Sequence, residues 1–123
     1  MKQFLLFGAI LSVAMIAYGI PSGQSFGEVT FPITNAQVQC GLKLANDLVH
    51  EHFELKEWGV AMGIITKSFA QSNQECASLP EDEQKDCYDE LTAEAKRAYK
   101  ELINFLPENL REQFKQKFFK CFQ

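Results

Sequence analysis

The stretch TNAQVQCGLKLANDLVHEHFELKEWG, residues 34–59, decides the fold of this chain. At 100° per residue its apolar side chains fall on two adjoining stripes that together cover more than half of a helical circumference. The first stripe comprises Cys40, Leu44, Leu48 and Leu55, and the second comprises Val38, Leu42, Ala45, Val49 and Phe53. An ordinary surface helix buries a narrower arc. We therefore predict a central helix with neighbours on two sides, which starts in a capping box between Thr34 and Gln37 and stops at Trp58 and Gly59.

The chain before this helix is predicted to direct secretion. Residues 1–3 carry one lysine and are followed by an apolar run over residues 4–18. About 15 apolar residues are fewer than the roughly 20 that a transmembrane helix needs, and Ala17-Tyr18-Gly19 has small residues at both ends, as a cleavage site requires. We predict a signal peptide over residues 1–19, a secreted, extracellular protein, and no stable membrane insertion after cleavage.

Residues 20–33 are predicted to form an irregular leader, because they contain two prolines, two glycines and no helical period. Several of their side chains are nevertheless too apolar for a free tail, namely Phe26, Val29, Phe31 and Ile33. Two placements follow: the leader packs in a groove of the domain, or it contacts a partner.

Residues 34–123 are predicted to form one domain. Residues 59–76 are apolar almost all round a helical wheel and favour a buried helix over an isolated strand. Another helix start is indicated by Ser78, as an N-cap, together with Glu81. It opens a long amphipathic helix that runs to Phe105. Pro107 ends that helix and opens a last one. The predicted fold is all-α: a small, disulfide-stapled helical bundle of four helices, arranged as two antiparallel helical hairpins.

The four cysteines of this predicted secreted chain indicate two disulfides. Cys40 and Cys76 are equally far from the predicted turn at Trp58, and Cys87 and Cys121 flank the break at Pro107. Two hairpins therefore favour Cys40–Cys76 with Cys87–Cys121. In the nested alternative, Cys40–Cys121 with Cys76–Cys87, Cys87 lies roughly 13 Å along its helix from the predicted start at Ser78. A disulfide to Cys76 requires Cα atoms within about 7 Å.

The charges and motifs exclude several classes of function. The formal net charge is −4, which disfavours nucleic acid because clustered Lys and Arg hold it. No nucleophile elbow, phosphate-binding glycine loop or Cys-x-x-Cys pair occurs. In the one histidine cluster, His50-Glu51-His52, His50 and Glu51 lie on an acidic helix face with no second set of ligands in view, and His52 points toward the edge of the apolar arc. We predict neither an enzyme, nor a bound metal, nor a cofactor.

The remaining feature is an excess of large apolar side chains. Helical bundles place ligand pockets between their helices, and we therefore expect a binding protein that carries an apolar small molecule or lipid between the first two helices and the Phe-rich last helix. The candidate ligand-binding residues are Leu48, Val49, His52, Phe53, Trp58, Met62, Ile65, Phe69, Phe114 and Phe118. The alternative is a secreted interaction, effector or signalling protein that acts through its surface on an extracellular protein, with Phe119, Phe122 and the leader as contact residues.

Overall fold

A computed structural model of the chain describes residues 29–123 and shows four helices. They are α1 (Asn35–Glu51), α2 (Lys56–Ala77), α3 (Glu81–Asn104) and α4 (Glu108–Lys120), with a 3₁₀ turn over Phe53–Leu55 between the first two. No strand occurs in the described residues, so the predicted all-α bundle of four helices is confirmed. The predicted signal peptide and residues 20–28 of the leader lie outside the described part of the chain.

The four helices pack in a ring. Each helix contacts its neighbours in sequence, and α1 also contacts α4, which closes the ring. The Trp58 indole N–H, near the start of α2, donates to the Leu102 carbonyl near the end of α3 at 2.8 Å. The α1–α2 and α3–α4 connections therefore lie at one end of the bundle, which we call the turn end.

Helix α1 begins as its sequence predicts and ends earlier. The Thr34 hydroxyl accepts from the Gln37 backbone N–H at 3.1 Å, and the Gln37 side-chain oxygen accepts from the Thr34 N–H at 2.9 Å. The capping box is confirmed. The predicted stop at Trp58 and Gly59 is wrong, because α1 ends at Glu51 and residue 59 lies inside α2.

The physical role of Gly59 explains this difference. A Cβ atom at Gly59 would overlap Cγ2 of Val49. The missing side chain therefore lets α1 and α2 approach each other closely, and it does not end a helix. The predicted helix over residues 59–76 is confirmed as the greater part of α2.

The start of α3 also differs from its prediction. Ser78 is the C-cap of α2, where its hydroxyl donates to the Gln74 carbonyl at 3.2 Å, and Pro80 occupies the N-cap of α3 without a side-chain cap. The first helical residue is Glu81. From there α3 runs unbroken to Asn104, so the predicted long amphipathic helix and the break before Pro107 are confirmed.

Aromatic rings fill the centre of the bundle. Phe118 is fully buried, and its ring centroid lies 4.9 Å from that of Tyr99, 5.5 Å from that of Phe114 and 5.3 Å from that of Phe122. Phe119, 5.5 Å from Phe118, is also buried. Phe119 and Phe122 thus belong to the core and are not exposed for contact with a partner.

The end of the leader is part of the same core. Val29, Phe31 and Ile33 are buried. The Phe31 N–H donates to the Thr92 hydroxyl of α3 at 3.0 Å, and both backbone groups of Ile33 bond to the Asn73 side-chain amide of α2, each at 3.0 Å. Residues 29–33 therefore lie in the groove between α2 and α3, the first of the two placements predicted for the leader.

The favoured disulfide pairing is wrong, and the nested alternative is right. Cys40 pairs with Cys121 and Cys76 pairs with Cys87, with Cα atoms 5.7 and 5.6 Å apart. The cysteines lie near the start of α1, directly after α4, in the last turn of α2 and in the second turn of α3. Both disulfides therefore staple the end of the bundle opposite the turn end.

The position of the α1–α2 turn explains the error. The chain turns near Phe53 and not at Trp58, so Cys76 lies about nine residues, or roughly 13 Å of helix, further from the turn than Cys40 does. For the other pair, the short connection over residues 78–80 carries the chain past the end of α2. Three residues can span roughly 10 Å, so the first turn of α3 lies beyond the end of α2. Helix α3 then runs back alongside α2, and its second turn brings Cys87 level with Cys76.

Candidate functional site

Four of the ten predicted ligand-binding residues lie in the packed core. These are Met62, Phe69, Phe114 and Phe118. Phe69 contacts the rings of Phe31 and Tyr99, with centroids 5.9 and 5.7 Å apart. The interior position between α2 and α4 is thus filled by the protein's own side chains.

Three others connect the helices. The Trp58 ring, anchored to the Leu102 carbonyl, meets the Phe114 ring edge-on at 5.2 Å. Val49 fills the space beside Gly59, and Ile65 is half-buried against the core. These contacts fix the position of α2 against α1, α3 and α4.

His52 and Phe53 lie at the turn end. His52 caps α1, and its Nδ1 is 3.7 Å from a carboxylate oxygen of Glu54. Phe53 is 69% exposed, with the Lys56 ammonium 5.3 Å from its ring centroid. Phe53 therefore faces solvent and not the interior.

Leu48 and Phe114 come together in an open groove between α1 and α4, with a volume of about 200 Å³. Leu44 lies one turn before Leu48 on α1, and Leu110 lies one turn before Phe114 on α4. Since residues four apart share a helix face, the two pairs form an apolar floor. The rim is polar and consists of Asp47, Glu51, Gln113 and Lys117.

Searches against protein-family models, curated proteins and solved structures find no match to this chain.

The groove carries both signs of charge at its edge. Asp47 and Glu51 line it from α1, and Lys117 lines it from α4. Asp47 also pairs with Lys43 at 3.0 Å on the exposed surface of α1. The groove can therefore contact a small apolar group on its floor while a polar or charged remainder stays at the rim in water.

Two buried titratable groups lie away from the groove lining. The Tyr99 hydroxyl and the Thr66 hydroxyl share a hydrogen bond of 2.9 Å in the core, and burial raises the pKa of Tyr99 to about 12 although that bond acts in the opposite direction. Glu94 is only 5% exposed, and its Oε2 has no hydrogen-bond partner among residues 29–123. Burial raises the pKa of Glu94, against the attraction of Arg97.

The described residues present neither a metal cluster nor a membrane span. Among residues 29–123, no three His, Cys, Asp or Glu side chains are grouped so that they could hold a metal ion. No helix in the same range is long and apolar enough to cross a bilayer.

Sequence reasoning identified Leu48 and Phe114 as lining residues and missed Leu44, Leu110 and the rim. The signal for Leu44 was present, because it shares the first apolar stripe of α1 with Leu48. Of that stripe, only Leu48 was predicted to bind a ligand. Its periodicity does not tell which members lie under a groove, since this depends on where α4 crosses α1.

Proposed function

We propose that this protein is an extracellular binding protein that takes a small apolar group into the groove between α1 and α4. The observation that carries the proposal is the apolar floor of Leu44, Leu48, Leu110 and Phe114 inside a polar rim. Two disulfides support an oxidising compartment, in agreement with the predicted signal peptide. Binding, and not catalysis, is the activity we assign to the groove.

The size of the groove limits the ligand. Its volume of about 200 Å³ exceeds the roughly 150 Å³ of an engineered cavity that holds benzene. It is smaller than the roughly 300–1,000 Å³ pockets that enclose drug-sized molecules. The groove therefore suits one ring or a short branched chain, and a longer lipid would leave most of its length outside.

A neutral fluorescent probe such as N-phenyl-1-naphthylamine tests this proposal. Leu48→Glu places a carboxylate on the groove floor, and we expect it to weaken probe binding by at least about tenfold, because an unpaired charge would have to be buried beneath the ligand. Gln39→Glu is the matched control: it adds the same group to the same helix, and its residue is exposed and lies on the opposite face.

A second substitution separates loss of binding from loss of fold. Gln113→Trp fills the groove from its rim without removing any floor residue, and it should also exclude the probe. Equal probe affinity in the unsubstituted protein, Leu48→Glu and Gln113→Trp, with all of them folded by circular dichroism, would refute the groove as the binding site. Native mass spectrometry of protein from its secreting cells would then identify any natural adduct.

A second candidate is a surface-acting interaction protein. Two phenylalanines in the helix connections at the turn end, Phe53 and Phe105, are 69% and 78% exposed. Exposed aromatic side chains are enriched among the residues that dominate protein interfaces. In this case Phe53→Ser with Phe105→Ser would abolish crosslinking to an extracellular protein and would leave probe binding in the groove unchanged. Loss of probe binding with retained crosslinking would instead favour the groove.

A further inference from the structure

The outer face of α2 carries an apolar stripe that nothing in the described chain covers. Val60 and Ile64 are 56% and 64% exposed, and one turn separates them. At 100° per residue, Glu57 and Lys67 lie on the same face, beyond the two apolar residues on either side. We call Glu57, Val60, Ile64 and Lys67 the α2 stripe.

Gly63 gives this face a second distinctive property. A Cβ atom at Gly63 would meet no atom of residues 29–123 within 4 Å, whereas one at Gly59 would overlap Val49. Gly59 therefore serves the packing of α1 on α2, and Gly63 has no such role in this fold. A glycine inside an exposed helix costs roughly 1 kcal/mol relative to alanine; at Gly63 it leaves α2 backbone open to close approach from outside.

We propose that the α2 stripe is a self-association surface and that its partner is a second copy of this chain, packed antiparallel across a twofold axis level with Met62. This arrangement places Val60 of one copy level with Ile64 of the other. It also places Glu57 level with Lys67, and the twofold axis repeats both contacts. The two Gly63 residues lie near the level of the axis, at the edge of the contact next to Val60.

Charge complementarity selects the antiparallel copy. The order along the helix is acidic, apolar, apolar, basic. When a second copy runs in the opposite direction, each charged residue is level with one of opposite sign and each apolar residue with an apolar one. In a parallel arrangement, Glu57 would face Glu57 and Lys67 would face Lys67, and both pairs would repel. Within residues 29–123 neither the Glu57 nor the Lys67 side chain forms an ion pair, so each is available to the other copy.

The dimer leaves the proposed groove open, because that groove lies between α1 and α4 and not on α2. One helix face buries less than the roughly 800 Å² per partner that is typical of stable complexes. The dimer is accordingly concentration-dependent.

Sedimentation velocity of the full secreted chain, from about 10 μM to about 1 mM, where small interfaces associate, tests the proposal. We expect a monomer–dimer equilibrium in the unsubstituted protein and only monomer in Ile64→Asp, which removes an apolar contact on both sides of the axis. Phe105→Asp is the matched control. It places the same charge on another exposed phenylalanine outside the stripe and should leave the dimer intact.

Charge exchange tests the register. Glu57→Lys alone and Lys67→Glu alone each create two repulsive pairs and should weaken the dimer roughly tenfold. The two variants mixed together restore both attractive pairs. An equimolar mixture, with one variant labelled with ¹⁵N, should therefore give mainly heterodimer in native mass spectrometry.

Three results would overturn the proposal. The first is a chain that remains monomeric up to about 1 mM. The second is a dimer that Ile64→Asp does not change. The third is a mixture of the two charge variants that associates no better than either alone, which would exclude this antiparallel register.

Discussion

Gly59 and Gly63 lie one turn apart in α2 and face different surroundings, so the same substitution should have opposite effects at the two positions. Gly63→Ala gains helix propensity in open space and should raise the free energy of unfolding by about 1 kcal/mol. Gly59→Ala drives a methyl group into Val49, whose branched side chain has one preferred rotamer in a helix. Overpacking of this kind costs about 1–3 kcal/mol, and we expect a net loss of stability in urea denaturation.

The double variant Gly59→Ala with Val49→Ala is the control for this pair. It removes the overlap and should recover part of the stability lost by Gly59→Ala alone, so the two substitutions should be non-additive. If Gly59→Ala stabilised the protein as much as Gly63→Ala, the close approach of α1 and α2 at this position would be contradicted.

Glu94 should make the stability of the protein fall as pH rises. Burial raises the pKa of Glu94 above its ordinary value of 4.5, so between these two values the folded state binds more protons than the unfolded state. The free energy of unfolding therefore decreases as pH rises through the folded-state pKa. Glu94→Gln keeps the size of the side chain and removes the charge, and it should be stabilising near pH 7 and close to neutral near pH 4.

Thermal unfolding at both pH values measures this effect. The control is Glu101→Gln, which changes an exposed carboxylate of the same helix and should have little effect at either pH. A Glu94→Gln variant that is equally destabilised at both pH values would show that the carboxylate makes a needed contact in both protonation states.

At the scale of the helices, Asn73 fixes the leader to α2. Its side-chain amide bonds to the N–H and the carbonyl of Ile33. Asn73→Ala leaves both groups without their partner in a partly buried position, and we expect a loss of about 1–3 kcal/mol. Hydrogen exchange at the Ile33 amide should accelerate more than exchange in the centre of α3. Gln74→Ala, at an exposed neighbouring residue, should change neither quantity.

The same segment bears on the second placement considered for the leader. Phe31 is buried against Phe69, and Phe31→Ala should cost roughly 3 kcal/mol because a large ring leaves the core. A contact arm would tolerate this change without loss of stability. Unchanged urea denaturation of Phe31→Ala would therefore contradict the packing of residues 29–33 in the groove between α2 and α3.

Local signals in the sequence predicted the start of α1 and missed its end. The capping box at Thr34 depends on residues three apart, and it was predicted correctly. The end of α1 at Glu51 carries no glycine or proline that would mark it in the sequence. The chain turns there because Trp58 packs against Leu102 and Gly59 against Val49. Such contacts join distant parts of the chain. The fold class therefore follows from periodicity, and this boundary does not.

At the scale of the whole molecule, one misplaced turn changed the predicted disulfides and the predicted site together. With α1 extended to Gly59, Cys40 and Cys76 are level, and Met62 and Phe69 face a space between helices. With the turn at Phe53, Cys40 reaches Cys121, and the same two side chains are enclosed in the core. Of the ten predicted ligand-binding residues, only Leu48 and Phe114 line the groove, because they lie where α1 meets α4.

The two disulfides should contribute unequally to stability. Cys40 and Cys121 are 81 residues apart in sequence, and Cys76 and Cys87 are 11 apart. In the chain-entropy model the larger loop contributes about 4.5 kcal/mol and the smaller about 3 kcal/mol. Replacing both cysteines of the longer pair by serine should therefore lower the free energy of unfolding by about 2 kcal/mol more than replacing the shorter pair.

The comparison is informative because the hairpin pairing predicts a different result. Cys40–Cys76 and Cys87–Cys121 would close loops of nearly equal length, so removal of either would cost the same in the same model. Urea denaturation of the two double-serine variants separates these outcomes. Equal losses, together with a non-reduced digest that joins Cys40 to Cys76, would contradict the nested frame and the position of the α1–α2 turn, since Cys40 can reach Cys76 only if the chain turns near Trp58.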